Sequence, residues 1–277
     1  MDPKSIVYSD LELPLIGLGT YQLFGDDIKN TVKNALEIGY RHFDTANLYK
    51  TEQGLGEAIS ECINENKITR QEIFITTKVS FNHLKKKQVR KGVENSFEKL
   101  GLEYIDLILL HMPLHHLENW KELEEIYMEY RGRIRFIGVS NFSIQHLTEI
   151  MQIGTFKPFC NQIEVSPFFV RDKLAQFCFS NEIKIIAHSS LVRGEKFTNN
   201  EKMQQLCSQL NCTQAQILLK WAINKGYYII PKACTEVWLR ENFASDLIKL
   251  NSNTMEYLNQ LNERFTLYPK FVYDEDK

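Results

Sequence analysis

Short apolar runs alternate with longer stretches in which apolar residues recur every three or four positions. The runs fall at 15–18, 42–43, 73–77, 105–110, 134–139, 158–163, 184–187 and 227–230. Short β-branched-rich runs of this kind, bounded by Gly, Pro, Asn or Asp, predict buried strands. Between them the period is helical. Ile28, Val32, Ala35 and Leu36 share one face of a helix that Asp26 caps and Gly39 ends. Leu55, Ala58, Ile59, Cys62 and Ile63 form a second stripe, starting near Thr51. Further helices are predicted at 87–100 (stopped by Gly101), 118–130, 143–153 (capped by Ser143), 171–179, 201–210, 236–243 and 254–262. Thr213 and Gln216 form a capping box for a helix at 214–224, closed by Gly226. Residues 6–8 and 12–14 flank Ser9-Asp10 and predict an N-terminal hairpin.

Strand then helix, repeated about eight times, calls for a parallel sheet with helical crossovers. The predicted fold class is therefore α/β, a (β/α)8 TIM barrel with an N-terminal β-hairpin. No Pro/Gly/Ser-rich linker or compositional break interrupts the chain, so residues 1–277 read as one barrel domain. That length suits a barrel of this kind.

Composition narrows the partners. With 33 basic and 35 acidic residues the formal charge is -2, which favours neither nucleic acid nor an anionic membrane. The run Lys85–Lys87 reads as a solvated helix start, and 274–277 as a frayed tail. No secretory signal and no transmembrane stretch is apparent, so a cytoplasmic location is expected. Six scattered cysteines read as free thiols. His111, His115 and His116 lie close together without a convincing metal-ligand pattern, and no metal is expected.

Barrels of this kind collect their active sites at the carboxyl ends of the strands. Here those positions are Asp44, Lys78, His111, Ser140-Asn141, Gln162, His188-Ser189 and Lys232, with Tyr49 on a loop at the same rim. A division of labour is available. A tyrosine with a pKa near 10 is a poor acid at neutral pH. A lysine cation beside it favours the phenolate and is expected to lower that pKa. Asp44 can hold Lys78, and His111 can hydrogen-bond the reacting oxygen. Such a set can protonate an oxygen that gains negative charge as hydride adds to a carbonyl. The hydride must come from a cofactor. The hydroxyl and amides of Ser140, Asn141 and Gln162 suit a carboxamide such as that of nicotinamide.

The chain resembles the aldo-keto reductases nearly from end to end. The likeness rests on LPLIGLGTYQL, DTANLYKTE, TTKV, LILLHMP, IGVSNF, NQIEVSP, AHSSL and IPKACTEVWLREN. It is similar to the compact microbial members, such as diketogluconate reductases. The resemblance implies a monomeric barrel that binds NADP(H) extended across its mouth and reduces small aldehydes and ketones. It implies Asp44, Tyr49, Lys78 and His111 as catalytic residues, with Tyr49 the proton donor. It implies cofactor contacts at Gly19, Thr20, Asp44, Ser140, Asn141, Gln162, His188, Ser189, Leu191, Lys232, Ala233, Trp238, Glu241 and Asn242. The substrate pocket it implies contains Tyr21, Tyr49, His111 and Met112.

Several positions depart from the family pattern. His188 stands where an aromatic ring usually lies under the nicotinamide, and an unperturbed histidine titrates near neutral pH. Ser190 replaces a proline, Met112 a tryptophan, and Tyr21 the tryptophan of an early GTW motif. The motif for the cofactor's 2′-phosphate reads Lys232-Ala233, Trp238, Glu241-Asn242, in place of Lys-Ser, Arg, Glu-Asn. The serine hydroxyl and the arginine fork are gone, so NAD(H) becomes an acceptable alternative unless Arg193 or Arg240 reaches the phosphate. Two other readings stay open. One is a weakly catalytic cofactor-binding regulatory or structural protein on the same scaffold. The other is a lyase or isomerase that uses Lys78.

Overall fold

The computed structural model of the chain describes residues 12–196 and 201–272. The strands are β1 (Leu18–Gly19), β2 (His42–Asp44), β3 (Phe74–Val79), β4 (Ile105–Leu110), β5 (Ile134–Ser140), β6 (Cys160–Glu164), β7 (Lys184–His188) and β8 (Tyr228–Ile229). The helices between them are α1 (Asp26–Ile38), α2 (Glu52–Asn64), α3 (Phe81–Lys85), α4 (Val89–Leu100), α5 (His116–Glu129), α6 (Ile144–Ile153), α7 (Asp172–Ser180), α8 (Glu201–Leu210) and α9 (Gln214–Asn224). Two more, α10 (Glu236–Phe243) and α11 (Ser252–Gln260), follow β8.

All neighbouring strands pair in parallel, in the order β1 to β8. A parallel bridge from Ile16 to Ile229 joins the two ends, and Gly17 N donates to Ile229 O at 2.8 Å. The sheet thus closes into the expected (β/α)8 barrel. Strands buried on both faces must be apolar on both. In β4, Leu107 and Leu109 belong to the inner cluster with Leu13, Phe74, Cys160, Ile186 and Ile230. Ile108 and Leu110 belong to the outer cluster, against the helices. That alternation is the period of two that a pleated strand imposes. The helical stripes behave as predicted: Ile28, Val32, Ala35 and Leu36, and then Leu55, Ala58, Ile59 and Cys62, are all buried.

Asp106, which breaks the apolar run of β4, is fully buried near the amino end of that strand. Its two oxygens receive Arg70 at 2.7 Å, Arg135 at 2.6 Å and the Ile75 amide at 2.9 Å. A buried carboxylate needs such partners, because removing one leaves a charge uncompensated.

Some expectations shift. β3 runs through Lys78 to Val79, so Lys78 is a strand residue and its main chain is fixed by the sheet. The basic run ends α3 at Lys85 and continues into the turn before α4 instead of starting a helix, and Lys87 takes φ 52. Helix α3 was not foreseen. Ser143 and Thr213 cap α6 and α9 as predicted, by accepting from His146 N and Gln216 N. Thr51 does not cap α2 through its side chain; its hydroxyl meets those of Thr20 and Thr45 at 2.9 and 2.8 Å. The expected hairpin falls largely on residues 1–11 and the tail on 274–277, outside the described residues. Among the described residues no helix is long and apolar enough to cross a membrane.

Candidate active site

Asp44 ends β2 and Lys78 lies near the end of β3, two neighbouring strands in register. Both side chains are almost fully buried, and they form a direct ion pair. Lys78 Nζ also donates to Thr45 O at 3.0 Å and to the Tyr49 hydroxyl at 3.5 Å. The other Asp44 oxygen accepts from Gln162 Nε2 at 2.7 Å, across the barrel from β6. Thr20 donates both its amide, at 2.9 Å, and its hydroxyl, at 3.0 Å, to Asp44 O. The expected cluster of acid, lysine and phenol is therefore one connected chain at the carboxyl end of the barrel.

Tyr49 closes a 3-10 turn, Asn47–Tyr49. Its ring meets Tyr21 edge-on at 5.0 Å and His111 edge-on at 5.7 Å. The phenol is held well above its ordinary value of 10, first by burial and then by the negative charge of Asp44. This reverses the expectation that Lys78 would lower it. Burial explains most of the reversal, and the negative charge of Asp44 adds to it. Burial lowers Lys78 and raises Asp44, while their mutual attraction opposes both shifts. His111 is held well below 6.5, by burial and then by Lys78, so its imidazole is neutral. Its Nδ1 is buried without a partner among the described residues.

The amide side of the rim is joined to itself. Ser140 Oγ donates to Gln162 O at 2.9 Å, and Asn141 Nδ2 donates to His111 O at 3.2 Å. His188 Nε2 lies 3.1 Å from Asn141 Oδ1, and His188 Nδ1 lies 3.0 Å from Ser189 Oγ. Burial, with help from Lys78 and Arg171, pushes His188 down to about 3. The ring is thus uncharged at neutral pH, which corrects the expectation of titration there. Ser189 adopts φ 58 and Val192 φ 43, so the loop after β7 turns sharply at the rim. Within it Leu191 is half-buried, and Ser190 Oγ is buried without a partner among the described residues. Met112 is half-buried next to His111.

The altered motif follows β8 and runs into α10. Lys232 is exposed and Ala233 buried. Trp238, in the first turn of α10, is 53 % exposed, and its neighbour Val237 is 72 % exposed. Glu241 accepts from Thr213 Oγ1 at 2.5 Å, and Asn242 is buried. Arg240 turns to Glu236 on its own helix at 2.7 Å, and Arg193 donates to the Tyr268 hydroxyl at 2.8 Å. Both arginines are thus engaged within the protein, Arg240 by a carboxylate and Arg193 by a phenol. The set at the strand ends fits a nicotinamide: a carboxamide has hydroxyl and amide partners, an uncharged ring lies beside them, and Ser190 offers an unsatisfied hydroxyl. The altered motif fits a 2′-phosphate poorly. Among the described residues no cluster of three or more His, Cys, Asp or Glu side chains is placed to hold a metal ion.

Sequence reasoning missed what lies beneath Tyr49. Glu52, at the start of α2, is fully buried. It accepts from Thr77 Oγ1 at 2.7 Å, Ser96 Oγ at 2.5 Å and Asn47 Nδ2 at 3.1 Å. Asn47 begins the turn that carries Tyr49, and its Oδ1 accepts from Ser80 N at 3.4 Å. The signal was present: Glu52 is a charged residue in register with the apolar stripe of Leu55, Ile59 and Cys62.

Residues 15–263 match the model of the Aldo/keto reductase family. An oxidoreductase of Bacillus subtilis, YtbE, is 36% identical over 272 residues, covering 97% of this chain and 96% of the relative. Methylglyoxal reductase DkgA of Yersinia pestis is 34% identical over 266 residues, covering 94% and 93%. Among solved structures, the aldose reductase of Schistosoma japonicum superposes with a TM-score of 0.88 at 31% identity, over 96% of this chain and 97% of that one. A family match of this extent, on a closed barrel with an acid, a lysine and a phenol linked at its rim, leaves one conclusion: the chain belongs to the aldo/keto reductase family of oxidoreductases.

Proposed function

We propose that the chain is an NAD(P)H-dependent carbonyl reductase that converts small aldehydes and ketones to alcohols, with Tyr49 as proton donor. The observation that carries this is the run from Asp44 through Lys78 to the Tyr49 hydroxyl, the last step at 3.5 Å. A bound nicotinamide supplies the hydride. Ser140, Asn141 and Gln162 would hold its carboxamide, and His188 would lie against its ring. The protein's own part is proton delivery. Because burial keeps Tyr49 protonated, its hydroxyl can give a proton to the carbonyl oxygen. Lys78 then stabilises the phenolate left behind, at short range in a site of low dielectric. Neutral His111 orients the carbonyl oxygen by hydrogen bonding without competing for the proton.

The tail of the cofactor is read with reduced discrimination between NADPH and NADH. Lys232 supplies one exposed cation, and Trp238 offers an exposed face to the adenine, which carries no phosphate preference. A hydrogen bond to a charged group contributes about 1.5 to 3 kcal/mol. Loss of the arginine therefore weakens NADPH binding by roughly ten- to a hundredfold. Paired dissociation constants from fluorescence quenching test this. A preference for NADPH above roughly a thousandfold, about 4 kcal/mol, would refute it.

This reading carries with it a single barrel that works as a monomer in the cytoplasm on small molecules. Oxidation of NADPH and NADH with a panel of aldehydes tests it. Turnover that vanishes in Tyr49→Phe supports the reductase. Tight cofactor binding with no turnover points to a cofactor-sensing protein instead.

A further inference from the structure

We propose that a cavity at the amino end of the barrel is a second ligand site, for a planar ring that carries a phosphate. It goes beyond the reductase reading, because it lies at the opposite end of β5 from Ser140. The cavity has a volume of about 490 Å3 and opens between the last turn of α5 and the start of β5. Tyr127, Arg131, Arg135 and Phe136 line it. That volume suits a ligand of nucleotide size.

The rings supply a stacking surface. Phe136 stacks on Phe74 at 6.3 Å and 15°, and on Phe159 at 4.1 Å and 22°. Cations lie over this column. The Arg135 guanidinium is 5.2 Å from the Phe136 ring centre, and Lys184 Nζ is 4.7 Å from that of Phe159. Tyr127 meets Phe156 edge-on at 5.1 Å and donates its hydroxyl to Arg135 O at 3.3 Å, which ties α5 to β5. Half-buried rings with a guanidinium among them offer a base both stacking and cation–π contact.

The charges supply the anion partner. Arg131, Arg133 and Arg135 are spread along a turn at Gly132, which takes φ 92, and the strand that follows. Arg135 is held by buried Asp106 at 2.6 Å. Arg133 lies over the Phe97 ring at 4.4 Å and donates to Glu103 O at 3.2 Å. Glu129, the acid nearest to Arg131 in sequence, pairs with Arg90 at 2.8 Å. Arg131 is exposed and lines the cavity, and Lys184 is half-buried one ring away from it. Among the described residues neither has a carboxylate within ion-pair distance. A guanidinium fork matches a phosphate with two parallel hydrogen bonds. A phosphate monoester brings nearly two negative charges to these two unpaired cations.

Adenosine monophosphate is titrated calorimetrically into the whole chain at saturating NADP+, so that the other rim is already filled. The expected dissociation constant is below about 1 mM in the wild type, weakened about tenfold or more in Arg131→Glu and less in Arg131→Lys. Adenosine and inorganic phosphate, each with one part of the ligand, bind about tenfold or more weakly than the whole. Melting temperature, NADPH dissociation constant and aldehyde turnover stay unchanged in both variants, since Arg131 is exposed and far from that rim. Four results overturn the proposal: no binding to the wild type, wild-type binding by Arg131→Glu, inorganic phosphate as tight as the nucleotide, or heat that vanishes when NADP+ is added. A chain that binds no NADP+ sinks the reductase reading alone, and the nucleotide titration still decides this one.

Discussion

The Tyr49 hydroxyl lies 3.5 Å from Lys78 Nζ, yet the phenol is held above its ordinary value and not below it. Burial and the Asp44 charge outweigh the lysine, whose own proton affinity burial lowers. Tyr49 therefore stays protonated through the neutral range and beyond pH 10. On the proposed reading, the alkaline limb of the rate profile is expected to follow Lys78, which burial lowers from its ordinary 10.5. Ultraviolet difference titration checks this: wild type and Tyr49→Phe give superimposable tyrosinate signals below pH 10. An extra ionisation in the wild type near neutral pH would show that the lysine wins after all. Lys78→Met is expected to lose about 10²- to 10⁴-fold in turnover while keeping its affinity for cofactor.

Glu52 and Asn47 hold the turn that carries Tyr49 from below. Removing one partner of a buried network leaves donors unsatisfied, at about 1 to 3 kcal/mol each. Glu52→Ala strands Thr77, Ser96 and Asn47 together, and is expected to lower the melting temperature by several degrees or prevent folding. Glu52→Gln keeps the shape and loses the charge. Its expected signature is a fall in kcat of about tenfold with the cofactor constant unchanged, because a small displacement of a proton donor is costly. A Glu52→Gln enzyme with wild-type kcat would mean that the network supports the fold alone.

The barrel was legible because its strands are buried on both faces and its helices on one, so the period of the apolar residues changes at each junction. The cluster at the rim was legible because barrel topology collects strand ends there, so Lys78 and Gln162 both reach Asp44 although Gln162 lies 118 positions from it. Three things were hidden. The sign of the Tyr49 shift depends on how deeply the phenol is buried and on the Asp44 charge beside it, both set in three dimensions. The partners of Asp106 and Glu52 come from other elements of the chain, and one sequence shows the charged residue but not its contacts. The contact of Arg193 with Tyr268 spans 75 positions between two loops, where no period constrains the chain.

Buried histidines set an acid limit on stability. Burial lowers the fully buried His42 and the half-buried His188 to about 3, and the half-buried His146 to about 4. Each is depressed below its unfolded value of 6.5, so the unfolded chain binds more protons between that value and the folded one. Stability is fully present above about pH 6.5 and is lost as pH falls towards 4 and then 3. The slope approaches about 1.4 kcal/mol per pH unit for a fully buried histidine, and is smaller for His146. Urea midpoints measured from pH 7 to pH 4 should fall steadily. His42→Asn should flatten the curve, whatever it does to stability at pH 7. An unchanged slope in that variant would remove His42 from the account.

Trp238 stands where the family usually places an arginine, on an exposed first turn of α10 with Lys232 nearby in sequence and also exposed. Restoring the cation should restore the preference. Trp238→Arg is expected to tighten NADPH by about tenfold and leave NADH within about twofold, the direction a charge-assisted hydrogen bond to a 2′-phosphate requires. Salt separates charge from stacking, since an exposed ionic contact weakens as the screening length shrinks. The NADPH gain in Trp238→Arg should therefore shrink between low salt and about 0.5 M, while wild-type affinity for NADH stays nearly flat. Equal tightening of both cofactors would mean that the side chain acts on the adenine and not on the phosphate.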